Sequence, residues 1–199
     1  MKLKINMFGI IIILFVIIIG LKIYYDSDVF NLRCIISTVD GNKYCVRERN
    51  NITKASDLLA RTTEKLRYIV ESLGKKYPNR ENVKRLVKNF NPTTIKETLP
   101  TSEYTAYSEN KGEKLAFCLN KNKNNNDNLI DSNTLLFVAI HEIAHVMSES
   151  VGHTDEFWQN FKFLLEHAVE LKIYTPVDYK KEPENYCGMD ITDNPYYDM

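Results

Sequence analysis

An excess of charge of either sign is the first thing missing from this chain. Lys+Arg and Asp+Glu each number 26 in 199 residues, so the net charge is zero with histidine neutral. Without a basic surplus there is no electrostatic case for a nucleic-acid partner. No internal repeat is visible. The low hydrophobic content of a disordered chain is missing too: 44% of residues are hydrophobic and 11% aromatic, which fits a globular domain. Histidine is scarce, with four in all, yet three of them fall within 13 residues.

Charge is also missing from one local stretch. Between Lys4 and Lys22 lie 17 uncharged residues, INMFGIIIILFVIIIGL. At ~1.5 Å rise per residue they make about 25 Å of helix, just short of a hydrocarbon core of roughly 30 Å. Snorkelling by Lys4 and Lys22, with Tyr24 and Tyr25 at the interface, closes that gap. No A-x-A-like cleavage site follows, so the segment reads as an uncleaved anchor rather than a removable signal. The expectation is an anchor over residues 1–26, in the membrane through 5–21, followed by one domain over 27–199. Lys2 and Lys4 before the segment, with Asp26 and Asp28 after it, favour a cytoplasmic N-terminus and a translocated domain. The sequon Asn51-Ile52-Thr53 and an even number of cysteines agree with that topology. Four cysteines allow three pairings or none, and Cys34 and Cys45 bracket a hairpin.

Past the anchor, Cys34–Val39 and Lys43–Val46 read as strands joined through Asp40-Gly41. Helical spacing of Leu58, Leu59, Leu66, Ile69, Val70 and Leu73 predicts a helix over 54–76 ending before Pro78, and a shorter one covers Arg80–Asn89. Thr101–Ser108 and Lys114–Leu119 read as an antiparallel pair. Asn120–Asn128 reads as a solvated loop. Two helices are expected near 132–149 and 154–172, then an irregular tail from Thr175. The fold class is α+β, a small antiparallel sheet packed on helices.

The chemistry concentrates in the first of those two helices. His141-Glu142-Ile143-Ala144-His145 is an H-E-x-x-H motif, with Asp131 or Ser132 as cap and Leu135, Leu136, Ala139, Ile140, Ile143 and Met147 on the buried side. Residues four apart share one helix face, so His141 and His145 present two imidazoles to one ion. Glu142 then stands beside the ion as general base toward an activated water. A third ligand is needed. His153 supplies it after a turn at Gly152, with Thr154 capping the next helix; Glu149 and Glu166 are the carboxylate alternatives. Cys187 is a conceivable fourth, closing ligand. His167 reads as a solvated residue near a helix end, and Phe157, Trp158, Phe161, Leu164, Leu165 and Ala168 as an apolar stripe bracing His153. Imidazole donors at this spacing suit Zn2+.

The run from His141 to His145, a turn, then His153-Thr-Asp-Glu-Phe157-Trp158 resembles the zincin peptidases of the WLM and SprT group. The interval to His153 is two residues longer than the usual WLM spacing; SprT-like members carry longer insertions there. The resemblance covers roughly 130–172. It implies a zincin-like fold, with His141, His145 and His153 as zinc ligands, Glu142 as catalytic base and Phe157 as packing anchor. Zincins commonly lay an extended substrate on an edge strand; Lys114–Leu119 is the best candidate for that edge, and an interior strand with no substrate contact is the equal alternative. Relatives in that group cleave protein–DNA crosslinks, a role that the neutral charge and the anchor argue against here. Thr101–Ser108 and the tail from Asn185 are similar to membrane-anchored proteins of large DNA viruses, which implies a virion-membrane setting. The expected activity is hydrolysis of a peptide or protein substrate. A catalytically silent zinc-stabilised structural protein, or a tethered interaction module, is the alternative.

Overall fold

The computed structural model describes residues 7–27, 31–123 and 128–198. Lys2, Lys4, Asp28, positions 124–127 of the polar loop and Met199 lie outside them. The architecture is mixed α+β. Among the described residues five α-helices, α1 (Met7–Asp26), α2 (Ile52–Lys76), α3 (Glu81–Asn89), α4 (Ser132–Met147) and α5 (Asp155–Glu170), accompany seven short strands. Among the described residues one helix, α1, is long and apolar enough to cross a membrane, and its apolar side chains are exposed over Met7–Tyr25. It runs past Leu21 because nothing in Lys22–Tyr25 breaks helical geometry.

At the centre lies α4. Asp131 caps it, its carboxylate accepting the backbone N–H groups of Asn133 and Thr134. Nearly every side of the helix is apolar, and Leu135, Leu136, Ala139, Ile140, Ile143, Ala144 and Met147 are fully buried. Such a helix is stable only when surrounded, and α2, α3, α5 and the sheet enclose it. From α2, Leu59, Leu66, Ile69 and Leu73 meet it at helical spacing. Truncating one of these leucines to alanine costs about 2–5 kcal/mol, because so enclosed a site cannot collapse around the void.

Strands β1 (Arg33–Ile36) and β2 (Lys43–Val46) form the expected hairpin, pinned by a Cys34–Cys45 disulfide. The main sheet has three strands in the order β3-β5-β4, with β3 at Lys96–Glu97, β4 at Ala106–Glu109 and β5 at Lys114–Phe117. Of the two readings of Lys114–Leu119, the interior strand is the one found: β5 is the middle strand. It pairs antiparallel with β4 and parallel with β3, and Leu115–Leu119 are all fully buried. A continuous apolar run of this kind belongs to an interior strand. The exposed edge falls to β4.

A two-residue strand such as β3 holds because of buried charge. Glu97 is fully buried; its carboxylate accepts the Arg47 backbone N–H at 2.7 Å and pairs with the Arg49 guanidinium. Arg47 in turn donates to the carbonyls of Thr98, Leu99 and Lys123, and Arg49 to Asn120 Oδ1. With all three nitrogens of each guanidinium engaged, these charges tie β2, β3 and the polar loop together. The tail is more regular than expected. Strands β6 (Glu184–Tyr186) and β7 (Met189–Ile191) form a hairpin turning through Cys187 and Gly188, both at positive φ, and a disulfide joins Cys187 to Cys118.

Candidate metal centre

Three of the four histidines converge. His141 and His145 lie one turn apart on α4 with ring centroids 5.0 Å apart. His153 arrives from the turn before α5, where Gly152 has φ +84°. Its Nε2 lies 3.1 Å from Nε2 of His141, and one ligand atom from each of the three rings lies within 4.8 Å of the others. Fully buried Phe157 packs beneath all three rings, at centroid distances of 4.8, 4.3 and 4.7 Å from His141, His145 and His153. One aromatic ring thus fixes three imidazoles.

The turn that carries His153 is held from several sides. Thr154 caps α5 through the Phe157 N–H. The Glu156 carboxylate accepts the backbone N–H groups of Glu149 and Ser150 at 2.8 and 2.9 Å and the Ser150 hydroxyl at 2.7 Å. Those bonds hold its carboxyl down at about 2. Lys111, on the β4–β5 turn, donates to the carbonyls of His145, Ser148 and Ser150 and so closes the C-terminal end of α4. Gly112 makes this approach possible: a Cβ there would sit 2.6 Å from the Asn89 carbonyl oxygen and 2.9 Å from Val146 Cγ1.

Burial, then the neighbouring His145 and His153, pushes His141 down to about 3. Burial, then His153 and Lys111, takes His145 to about 4. Both rings are therefore neutral at pH 7 with lone pairs available, the state a metal requires. Glu142 is 6% exposed, and burial raises its carboxyl to about 8, opposed by a hydrogen bond from the Ser108 N–H. Buried Tyr186 stands close enough to Glu142 to feel its charge; burial is the larger cause of its raised pKa, and its hydroxyl donates to the Thr105 carbonyl at 3.3 Å.

The three imidazoles could hold a metal ion, and imidazole nitrogens are donors that a tetrahedral ion such as zinc accepts. Two nitrogens at about 2.0–2.1 Å from such an ion lie about 3.3 Å apart, close to the His141–His153 separation. The carboxylate alternatives are placed elsewhere. Glu149 is exposed and pairs with Arg85 at 3.1 Å, and Glu166 is exposed on α5. Cys187 is consumed by its disulfide, which removes it as a closing ligand. The reading of His167 as solvated is also overturned. It is 4% exposed, with Nε2 3.0 Å from Ser72 Oγ and Nδ1 3.3 Å from Glu170, because α2 packs over that face of α5.

The histidines open into a cleft of about 1300 Å³ whose walls include Thr101–Lys111, Phe137, Trp158, Tyr186 and Met189–Asp193. Sequence reasoning missed Ser108, Lys111, Glu156 and Tyr186. Glu156 lies three residues after His153 in a first turn and carried a usable signal. The other three are brought in by strand pairing and by the Cys118–Cys187 link, which local patterns do not encode.

The matched relatives are proteins of large DNA viruses. An uncharacterised protein of Acanthamoeba polyphaga mimivirus is 27% identical over 162 residues, covering 79% of this chain and 81% of that protein. An uncharacterised protein of Invertebrate iridescent virus 6 is 40% identical over 75 residues, which is 38% of this chain and 41% of the viral protein. One from Invertebrate iridescent virus 3 is 42% identical over 59 residues, 30% of this chain and 36% of its own length. The matched stretches therefore span less than half of the two iridescent-virus proteins. No protein-family model matches the chain. No solved structure matches it.

Proposed function

We propose that this chain is a membrane-anchored zinc metallopeptidase of large DNA viruses with a zincin-like domain. His141, His145 and His153 hold the ion and Glu142 is the general base. The observation that carries the reading is the convergence of three imidazoles beside a buried glutamate, at the wall of a cleft bordered by a strand edge. A structural zinc site is normally closed by a fourth protein ligand. The cysteine best suited to that role is bonded to Cys118 instead.

The residues divide the work as follows. In the antiparallel register the peptide groups of Tyr107 and Glu109 face β5, so those of Ala106 and Ser108 face the cleft. An extended substrate adds to this edge by main-chain hydrogen bonds, with its scissile carbonyl over the histidines. When bound, the ion supplies Lewis-acid polarisation, a water of lowered pKa and a positive charge that favours ionised Glu142. Glu142 takes a proton from the attacking water as its oxygen bonds to the carbonyl carbon. It then passes that proton to the amine as the C–N bond breaks. The Ser108 N–H holds the carboxylate in place between the two transfers.

The two disulfides and an exposed Asn51 support an oxidising, translocated location for the domain, with α1 as a single span and the N-terminus cytoplasmic. A virion membrane suits the viral relatives. The test is metal content and casein turnover of the detergent-solubilised full chain and its Glu142→Gln variant. About one zinc per chain in both, with turnover lost by ~10²-fold or more in the variant, is expected for a general base. A folded wild type that takes up no zinc would sink the proposal.

A further inference from the structure

The apolar helix is joined to the domain at the cleft. Its last turn exposes Tyr24 and Tyr25, and the Tyr25 carbonyl accepts a hydrogen bond from Thr101 Oγ1 at 3.1 Å. Asn31 Nδ2 donates to the carbonyls of Tyr24, Tyr25 and Ser27 at 3.2, 3.1 and 2.9 Å, satisfying groups that a helix end leaves open. Positions 26–32 alone separate Tyr25 from β1, a reach of about 25 Å even when fully extended. The tether is short.

Thr101 opens the stretch that forms one lip of the cleft and leads directly into β4. Tyr104 on this lip is 65% exposed, and Met189, which accepts from Thr105 Oγ1 at 3.6 Å, is 56% exposed. A tyrosine beside an exposed apolar side chain suits the headgroup layer of a bilayer. From the lip, β4 runs through Ala106 and Ser108, past Glu142, toward Lys111 at the end of α4. A chain lying along β4 therefore has one end toward the terminus of α1 and the other directed away from it.

We infer that the cleft takes the juxtamembrane stretch of a second membrane-anchored protein, standing in the same bilayer as α1. This rests on the peptidase reading and on α1 crossing the membrane. A stalk leaving the lipid beside α1 enters at the Thr101 lip, pairs with β4 and crosses Glu142 within about ten residues of the surface, at ~3.4 Å per extended residue. Confinement of enzyme and substrate to one bilayer supplies the effective concentration, so main-chain pairing suffices for recognition.

The test uses the zinc-loaded full chain in phosphatidylcholine vesicles with single-span reporters. Each reporter carries the same casein segment about 5, 20 or 40 residues from its span, distances scaled to ~3.4 Å per extended residue. Cleavage of the nearest segment at least about tenfold faster than the farthest is expected from tethering. Equal rates at all three distances, with free casein still cut, overturn the juxtamembrane inference and leave the peptidase standing. Loss of every cleavage, free casein included, takes down both. A measurement independent of activity uses Tyr104→Trp in a Trp158→Phe background, which leaves one tryptophan, on the lip. Its emission is expected to be quenched by headgroup-labelled lipid; an unquenched signal from folded protein overturns the placement of the lip.

Discussion

Nε2 of His141 and Nε2 of His153 stand 3.1 Å apart, although one ring belongs to α4 and the other to the turn before α5. Two imidazoles gain little from such proximity unless a proton or a cation lies between them. Phe157 and the capped turn enforce it. His153→Ala should therefore lose metal while keeping the fold, since its ring is exposed. Zinc content at buffered free zinc is expected to fall by more than the about 10–100-fold typical of losing an outer partner of a ligand. Glu149→Gln and Glu166→Gln should keep about one zinc per chain at the coordination number of a catalytic site. Retention of zinc by His153→Ala would assign the third ligand to another group.

Glu142 is costly to the metal-free protein. Its carboxyl stands at about 8 against an ordinary 4.5, so the folded chain holds a proton that the unfolded chain releases. That penalty is absent below about pH 4.5 and grows as pH rises to about 8, by at most about 1.4 kcal/mol for each step of one in pH. Glu142→Gln, which keeps an acceptor for the Ser108 N–H, should raise the melting temperature of metal-free protein at pH 8 by several degrees, and hardly at pH 4.5. A Gln variant less stable than wild type at pH 8 would show that the carboxylate is not held in a desolvated site.

The helices were legible because period and caps act locally. Asp131, Thr154 and the leucines of α2 occupy the positions their spacing implies. The pairing of His141 with His145 was legible for the same reason, since residues four apart share a helix face whatever surrounds them. What failed was non-local. The two-residue strand β3 has no pattern of its own; it exists because Glu97 is drawn beneath Arg47 and Arg49, and its pairing is what makes β5 the middle strand. His167 is buried by Ser72 and Tyr77 of the α2 region, ninety residues or more before it in the chain. The β6–β7 hairpin depends on a disulfide 69 residues long in sequence. Each miss is a contact between segments whose sequences do not mention one another.

Glu156 holds the His153 turn through Glu149 and Ser150 and is not one of the three clustered side chains. Its pKa is lowered from 4.5 to about 2, so its contribution is fully present above about pH 4.5 and lost as pH falls toward 2. The carboxylate is 38% exposed, so the about 1.5–3 kcal/mol of a charge-assisted hydrogen bond is reduced by solvent screening to about 1 kcal/mol. Glu156→Gln should lower the melting temperature by about 2–4 °C at pH 6, a difference that shrinks as pH falls below 4.5. Zinc affinity should drop by about tenfold, as for other residues that orient a ligand. Equal melting temperatures for the two proteins at pH 6, together with unchanged zinc affinity, would remove Glu156 from the organisation of the site.

The two disulfides should differ in what they protect. Cys34–Cys45 closes a separation of 11 residues and Cys118–Cys187 one of 69. In the chain-entropy account these restrict the unfolded state by about 3 and about 4 kcal/mol respectively. Replacing Cys118 and Cys187 by serine should therefore cost the larger stability in a denaturant melt. It should also free the hairpin that holds Tyr186 and Met189 on the cleft wall, so that casein turnover falls while zinc content is kept. Replacing Cys34 and Cys45 should lower stability alone, because their hairpin lies off the cleft. If the second pair of substitutions reduced turnover and the first did not, the β6–β7 wall would have no part in holding substrate.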